Sequence, residues 1–187
     1  MSVLYVADDF GLLPTIDRAI MALAEARALD ATSVLINERP RALPELARNR
    51  DLHIGLHLDL TGGRPHSAPE SIPDLVGADG RFHPLPQLIT RTLRGAIRRS
   101  SLIREISEQL AALETAIGLT QWDFLAPDVT FDYGASALRA AHPDQLTEVM
   151  LHVAHPGEPD ARLDDTSYPY AARVAQFERR MTEAGRA

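Results

Sequence analysis

The sequence predicts an α/β protein in which a parallel sheet is wrapped by helices. The residues carry this in three ways. Short β-rich runs such as Ser2-Val3-Leu4-Tyr5-Val6-Ala7 and Ala31–Ile36 alternate with stretches whose apolar residues recur at helical spacing. The connections between them are short, as in sheets crossed over by helices. Polar groups, Asp8-Asp9 above all, fall at the carboxyl ends of strands, where open α/β sheets and barrels place their chemistry.

The first strand shows little alternation, as a strand buried on both faces would. It runs into Asp8, Asp9, Phe10 and Gly11. Neighbouring side chains on an extended chain point opposite ways, so the two acids need not share one task. One could hold a metal while the other accepts a proton; capping the next helix is the structural alternative. Pro14 suits a first helical turn, and Ile16, Ala19, Ile20, Leu23 and Ala24 continue a helix to about Leu29. The second strand is Ala31–Ile36, followed by a short helix from Pro40 to Arg48 with Leu43, Leu46 and Ala47 inward.

The third strand, Leu52–Leu60, alternates strictly: five leucines and isoleucines on one face, His53, Gly55, His57 and Asp59 on the other. Covered by helices on the apolar side, it would turn the polar face into a barrel interior or cleft. Residues 66–86, rich in Pro and Gly, read as a long loop of the kind that forms lids or mobile segments, with His66 and His83 solvated. A helix broken by Gly95 spans Leu85–Arg98. A stronger one begins at Ser101, with Leu102, Ile106, Leu110, Leu113 and Ile117 as its core stripe and Gly118 closing it. Thr120–Ala135 reads as a loop with aromatic anchors, and Glu148–Ala154 as a strand ending at His155-Pro156-Gly157. His152 should face away from His155. A last helix spans Pro169–Ala184.

The 187 residues suit one domain, and 45% hydrophobic content allows a core. A net charge of -7 argues against a nucleic-acid surface. Arg91, Arg94, Arg98 and Arg99 form a local exception, read as a solvated helix face rather than an anion site. Without cysteine there is no disulfide and no thiolate metal site. With no leader-like or membrane-spanning run, a soluble cytoplasmic protein is expected.

Asp8-Asp9, His57 and His155 can converge where parallel strands end. Asp and His suit zinc or another first-row ion. A free carboxylate beside such a metal can take a proton from water, and a His opposite can protonate a leaving amine. Those are the parts needed to hydrolyse an amide.

Ala7-Asp8-Asp9-Phe10-Gly11-Leu12, the Gly55-Leu56-His57-Leu58-Asp59-Leu60-Thr61-Gly62 turn and His155-Pro156-Gly157 resemble the YdjC-like carbohydrate deacetylases. That family includes chitooligosaccharide deacetylases and hopanoid-biosynthesis relatives. Thr32-Ser33-Val34 and Tyr170 with Arg173 add to the match, which covers nearly the whole chain in pieces. The resemblance implies a distorted (β/α) barrel and metal-dependent removal of acetyl from an N-acetylated sugar. By the same resemblance Asp8 is the general base, Asp9 and His57 are metal ligands, and His155 is the acid that protonates the leaving amine. The metal would be zinc, magnesium or another first-row ion.

The chain also departs from the pattern. Family members carry a His-x-His stretch on the strand after the helix corresponding to Ser101–Gly118, and it supplies the third ligand. Here Gly118 leads into Leu-Thr-Gln-Trp-Asp-Phe, and no His-x-His occurs. The expectation is therefore one incomplete YdjC-like barrel domain over residues 1–187, with a deletion or a missing segment near 119–122. Three explanations stand open: a deletion that cost the protein its catalysis, a segment missing from the numbered chain, or a replacement ligand such as His53 or Asp123. Two protein ligands would bind zinc weakly, since catalytic sites use about three. A shortened barrel would expose strand edges and apolar helix faces, which predicts a homo-oligomer. The rival reading is a degenerate member that binds a sugar or a partner without turnover.

Overall fold

The computed structural model describes residues 2–118, 129–133 and 145–186. Among them the strands are β1 (Ser2–Phe10), β2 (Ala31–Val34), β3 (His53–Leu56), β4 (Val129–Asp132) and β5 (Leu146–Leu151). The α-helices are α1 (Pro14–Glu25), α2 (Leu43–Leu46), α3 (Leu85–Leu93), α4 (Arg99–Ile117) and α5 (Tyr170–Ala184). The strands form one sheet in the order β3-β2-β1-β5-β4. The pairs β1–β2, β1–β5 and β4–β5 are parallel. The α/β expectation therefore holds, and among the described residues the sheet is open, with β3 and β4 at its ends. No described helix is long and apolar enough to cross a membrane.

The chain folds as two compact units. The first holds Met1–Val34, Pro40–Gly55 and Gln121–Ala187, and the second Leu35–Arg39 and Leu56–Thr120. In the first unit, α1 buries Ile16, Ala19, Ile20, Leu23 and Ala24, the stripe its sequence spacing predicts. It ends at Glu25 rather than near Leu29, because Arg27 turns left-handed and the Ala28 N–H closes onto Leu23 O at 2.8 Å. α2 is only Leu43–Leu46, though Leu43 and Leu46 point inward as expected. β5 shows an alternating pattern that buries Thr147, Val149 and Leu151. It stops three residues short of the expected Ala154, because Gln176 of α5, not a neighbouring strand, accepts from the His152 N–H. β4 falls where a loop was expected. The remaining expectations for residues 119–128 and 134–144 lie outside the described residues.

The second unit corrects the sequence reading in several places. The segment 66–86 is a packed substructure, not a solvated lid. Ile72, Leu75, Val76 and Phe82 form a small core, backed by Leu60, Leu88, Ile97 and Leu102. An antiparallel bridge joins Val76 to Phe82. His83 is buried, and His66 is half-buried. The expected arginine face does not exist, since α3 ends at Leu93 and α4 starts at Arg99. Arg98 instead pairs with Asp74, whose carboxylate also accepts from the Arg98 N–H and the Ser101 hydroxyl at the start of α4. Burial works to raise the Asp74 pKa, but these hydrogen bonds outweigh it and hold the carboxyl well below the ordinary range.

Of the stripe expected on helix α4 only Leu113 is fully buried. Ser101, Glu105, Gln109 and Leu113 are its buried residues, four apart, while Leu102, Ile106, Leu110 and Ile117 are half-buried at the flank. Polar residues take the inward face because the loop before them presents backbone groups that need partners. Glu105 accepts from the His66 N–H at 3.0 Å and the Ser67 N–H at 2.9 Å. Gln109 accepts from the Asp59 N–H at 3.2 Å and donates to the Asp59 C=O at 2.6 Å. Its side-chain amide thus takes the place of a β-ladder neighbour.

Candidate active site

The two acids at the end of β1 are set by a β-bulge. Val6 pairs with Ala31 and Ala7 with Thr32, but the next pair is Phe10 with Val34. From Ala7 to Phe10 β1 advances three positions (10 − 7) while β2 advances two (34 − 32), so one extra residue is inserted at Asp8-Asp9. Asp9 adopts φ 73° and Gly11 φ 101°. Simple extended alternation therefore does not decide where the two carboxylates point. A left-handed non-glycine residue costs roughly 1–3 kcal/mol and persists where its surroundings enforce it. Thr32 contributes to that enforcement, its hydroxyl donating to Ala7 O at 2.7 Å directly before the bulge.

Each carboxylate has a dedicated partner. Asp8 Oδ1 accepts from the Ser33 hydroxyl at 2.5 Å. Asp9 Oδ2 accepts from Arg173 Nη2 at 2.9 Å, and both side chains are nearly withdrawn from solvent, 13% exposed for Asp9 and 4% for Arg173. Arg173 Nε donates to Tyr168 O at 2.8 Å, which fixes the guanidinium from its other side. Glu148, on the neighbouring β5, has its pKa raised, first by burial and then by the charge of Asp8.

His155 is fixed by the same helix turn that holds Asp9. Its carbonyl accepts from the Tyr170 hydroxyl at 3.0 Å, three residues before Arg173 on α5. Its N–H donates to Thr15 O in the first turn of α1 at 2.9 Å. The ring Nδ1 lies 2.9 Å from Pro156 O. A carbonyl only accepts, so Nδ1 carries a proton and Nε2 is the nitrogen available for proton exchange. Glu158 stands 3.8 Å from Nδ1 and is paired with Arg18. Asp8, Asp9 and His155 therefore share the first unit, and the first turn of α5 ties Asp9 to His155. His152, expected to face away, is buried and stacks on Tyr168 at 3.7 Å.

His57 belongs to the second unit. It lies just past β3, which ends at Leu56, so the expected nine-residue alternating strand is only four residues long. His53 is exposed at the start of β3, and Leu58, expected inward, is 42% exposed. The chain bends because Asp59 Oδ1 accepts from the Thr61 N–H at 2.9 Å, and Gln109 occupies the Asp59 backbone groups. Asp59 has a raised pKa, chiefly through burial.

A carboxylate braced by Arg173 and an imidazole are suitable metal donors. However, among the described residues no three His, Cys, Asp or Glu side chains stand together as a metal-binding group. Asp123 lies outside the described residues. Arg173, Ser33 and Thr15 were not readable as site-building residues. Only their occurrence beside the recognised motifs marked Ser33 and Arg173, because their contacts join elements up to 164 positions apart.

A family model described as YdjC-like protein matches residues 3–126. A carbohydrate deacetylase of Homo sapiens is 29% identical over 120 residues, covering 63% of this chain and 37% of that protein. One from Vibrio vulnificus is 35% identical over 89 residues, 46% of this chain and 34% of its own length. One from Thermoanaerobacter pseudethanolicus is 34% identical over 79 residues, 41% and 31% respectively. This chain thus spans about a third of the curated relatives it matches. A solved structure from Enterococcus faecalis, provisionally named a cellobiose-phosphate cleavage protein, superposes with TM-score 0.73 at 17% identity, covering 98% of this chain and 93% of that one. At that identity the likeness concerns the fold.

Proposed function

This chain belongs to the YdjC-like family, and from that premise we propose that it hydrolyses the acetamido group of an N-acetylated sugar in the cytoplasm. The observation that carries the reading is the bulge at the end of β1. It presents two carboxylates with separate partners, Asp8 on Ser33 and Asp9 on Arg173, in the unit that also holds His155. In this reading Asp8 accepts the proton of the attacking water. His155, its Nδ1 proton directed to Pro156 O, would act as the acid in its doubly protonated form, passing the Nε2 proton to the departing amine and returning to the neutral ring. Asp9 and His57 would hold a divalent metal, zinc, magnesium or another first-row ion, which when bound polarises the acetyl carbonyl and acidifies water. The names of the curated relatives support the same activity.

The test is acetate release from N-acetylglucosamine oligomers with added zinc, cobalt or magnesium. Activity should appear with at least one metal, vanish in Asp9→Ala, and fall ~10²–10⁴-fold in Asp8→Asn. No release with any metal would overturn the reading and leave the degenerate, binding role. We also propose self-association, supported by the exposed Leu85, Ile89 and Leu93 spaced four apart along α3. Light scattering should give a mass above the 20.5 kDa of one chain.

A further inference from the structure

The turn between α3 and α4 reverses the charge of the protein locally. Five of the chain's 19 basic residues, Arg91, Arg94, Arg98, Arg99 and Arg104, lie between positions 85 and 104, and none of its 26 acids does. The net charge of -7 therefore resides on the rest of the chain. These arginines share no single helix face but gather at one corner. Arg91 lies in the last turn of α3, Arg94 caps its end, Arg98 precedes α4 and Arg99 begins it. Asp74 draws two of them together: its C=O accepts from Arg91 Nε at 3.2 Å, and its carboxylate from Arg98 Nη2 at 2.7 Å. The other three, Arg94, Arg99 and Arg104, are exposed and pair with no carboxylate among the described residues.

Apolar side chains stand in solvent beside these charges. α3 buries none of its residues. Its Leu88 packs against the small core of Ile72, Leu75, Val76 and Phe82, but Leu85, Ile89 and Leu93 are left exposed. Four positions apart, those three make one continuous stripe. Ile103, near the start of α4, is exposed as well. Leu93 is 84% exposed and is followed at once by Arg94 and Gly95, where the chain turns with φ 66°. A Cβ added at Gly95 would meet nothing within 4 Å, so the turn is open to its surroundings. Scattered exposed leucines are ordinary, whereas a stripe rimmed by charge of one sign marks an interaction surface.

We propose that this corner docks on a bilayer surface rich in anionic lipid, with α3 lying in the interface and Leu93 entering the acyl boundary. A helix with an apolar stripe on one side and arginines beside it has the composition of helices that lie in the plane of a membrane interface. The guanidinium forks match the phosphate oxygens of the headgroups. Each cation held near an anionic leaflet strengthens partitioning about fivefold. The acidic remainder of the chain is repelled by the same surface, which turns the corner toward it. A nucleic acid would offer phosphates but no apolar layer for the stripe, and an acidic protein would need a shape complementary to the corner. A fluid bilayer supplies both charge and apolar depth and conforms to what enters it. The proposal does not rest on the deacetylase reading, because its residues are not those placed in that chemistry.

Co-sedimentation of the whole protein with vesicles tests it, comparing an equal mixture of phosphatidylglycerol and phosphatidylcholine with phosphatidylcholine alone. The protein should sediment with the mixed vesicles and not with the neutral ones, and added salt should release it. Arg94→Ala and Arg99→Ala should each weaken binding about fivefold. Arg94→Lys keeps the charge and should retain most of it. Leu93→Asp should weaken binding tenfold or more; the position is exposed, so the variant should fold, which circular dichroism checks. Arg50→Ala removes an exposed charge outside the segment and should leave binding unchanged. Equal binding to neutral and mixed vesicles, or binding unchanged in folded Arg94→Ala and Leu93→Asp, would overturn the proposal. So would oligomers that dissociate in Leu93→Asp while the parent protein binds no vesicle, which would assign the stripe to a second copy.

Discussion

Separating Asp9 from Arg173 should cost far more than breaking a surface ion pair. Arg173 has two bonds at stake, to Asp9 Oδ2 at 2.9 Å and to Tyr168 O at 2.8 Å, with its side chain 4% exposed. Removing one partner of a buried pair costs ~3–5 kcal/mol, because the other charge stays buried. Arg173 Nη1 is buried and lacks a partner among the described residues, which lowers the pair's net contribution. We therefore expect the lower end, ~3 kcal/mol, for Arg173→Met. That is a large share of a typical ~5–15 kcal/mol total. Asp9→Asn keeps the shape but removes the charge, and ~2 kcal/mol is expected. The double variant should cost less than the sum, with a coupling of ~1.5–3 kcal/mol, against ~0–1 for exposed pairs. Urea unfolding followed by far-UV circular dichroism measures all four proteins. A coupling below ~0.5 kcal/mol would mean that burial does not strengthen this pair, and the account of how Asp9 is oriented would fail.

Asp74→Asn should destabilise the protein by ~2 kcal/mol at neutral pH, since the carboxylate accepts from Arg98 and Ser101. Its folded pKa is depressed, so this stability is present above the unfolded value near ~3.9 and is lost as pH falls through the folded one. Melting curves of wild type and variant should thus converge in strong acid; a constant gap would refute the ionic account. Glu105→Gln turns an acceptor into an amino group facing backbone N–H groups, at a cost of ~1–3 kcal/mol. Hydrogen exchange at the His66 and Ser67 amides should accelerate, and unaltered protection would show that another group accepts from them.

The legible parts of this protein were those governed by local pattern. The α1 stripe from Ile16 to Ala24 and the span of α5 follow from spacing and from Pro14 and Pro169. The acids at the end of β1 were legible as a candidate site because strand, turn and helix follow one another without interruption. What failed were inferences that carried a period too far. The alternation from Leu52 to Leu60 looked like one strand, yet β3 ends at Leu56 because Gln109, fifty residues later, takes the Asp59 backbone groups. The leucines and isoleucines of α4 looked like its core face, yet Glu105 and Gln109 are fully buried.

By itself, then, the sequence determined the α/β class, the helix α1 and the family motifs, because each depends on residues close together in the chain. Tertiary structure decided that Asp9 turns left-handed at a bulge and meets Arg173, and that Asp8 meets Ser33. It also decided that Asp74 draws Arg91 and Arg98 together at the turn between α3 and α4. Those outcomes depend on which distant backbone groups need a hydrogen-bond partner once buried, and no local pattern records that need.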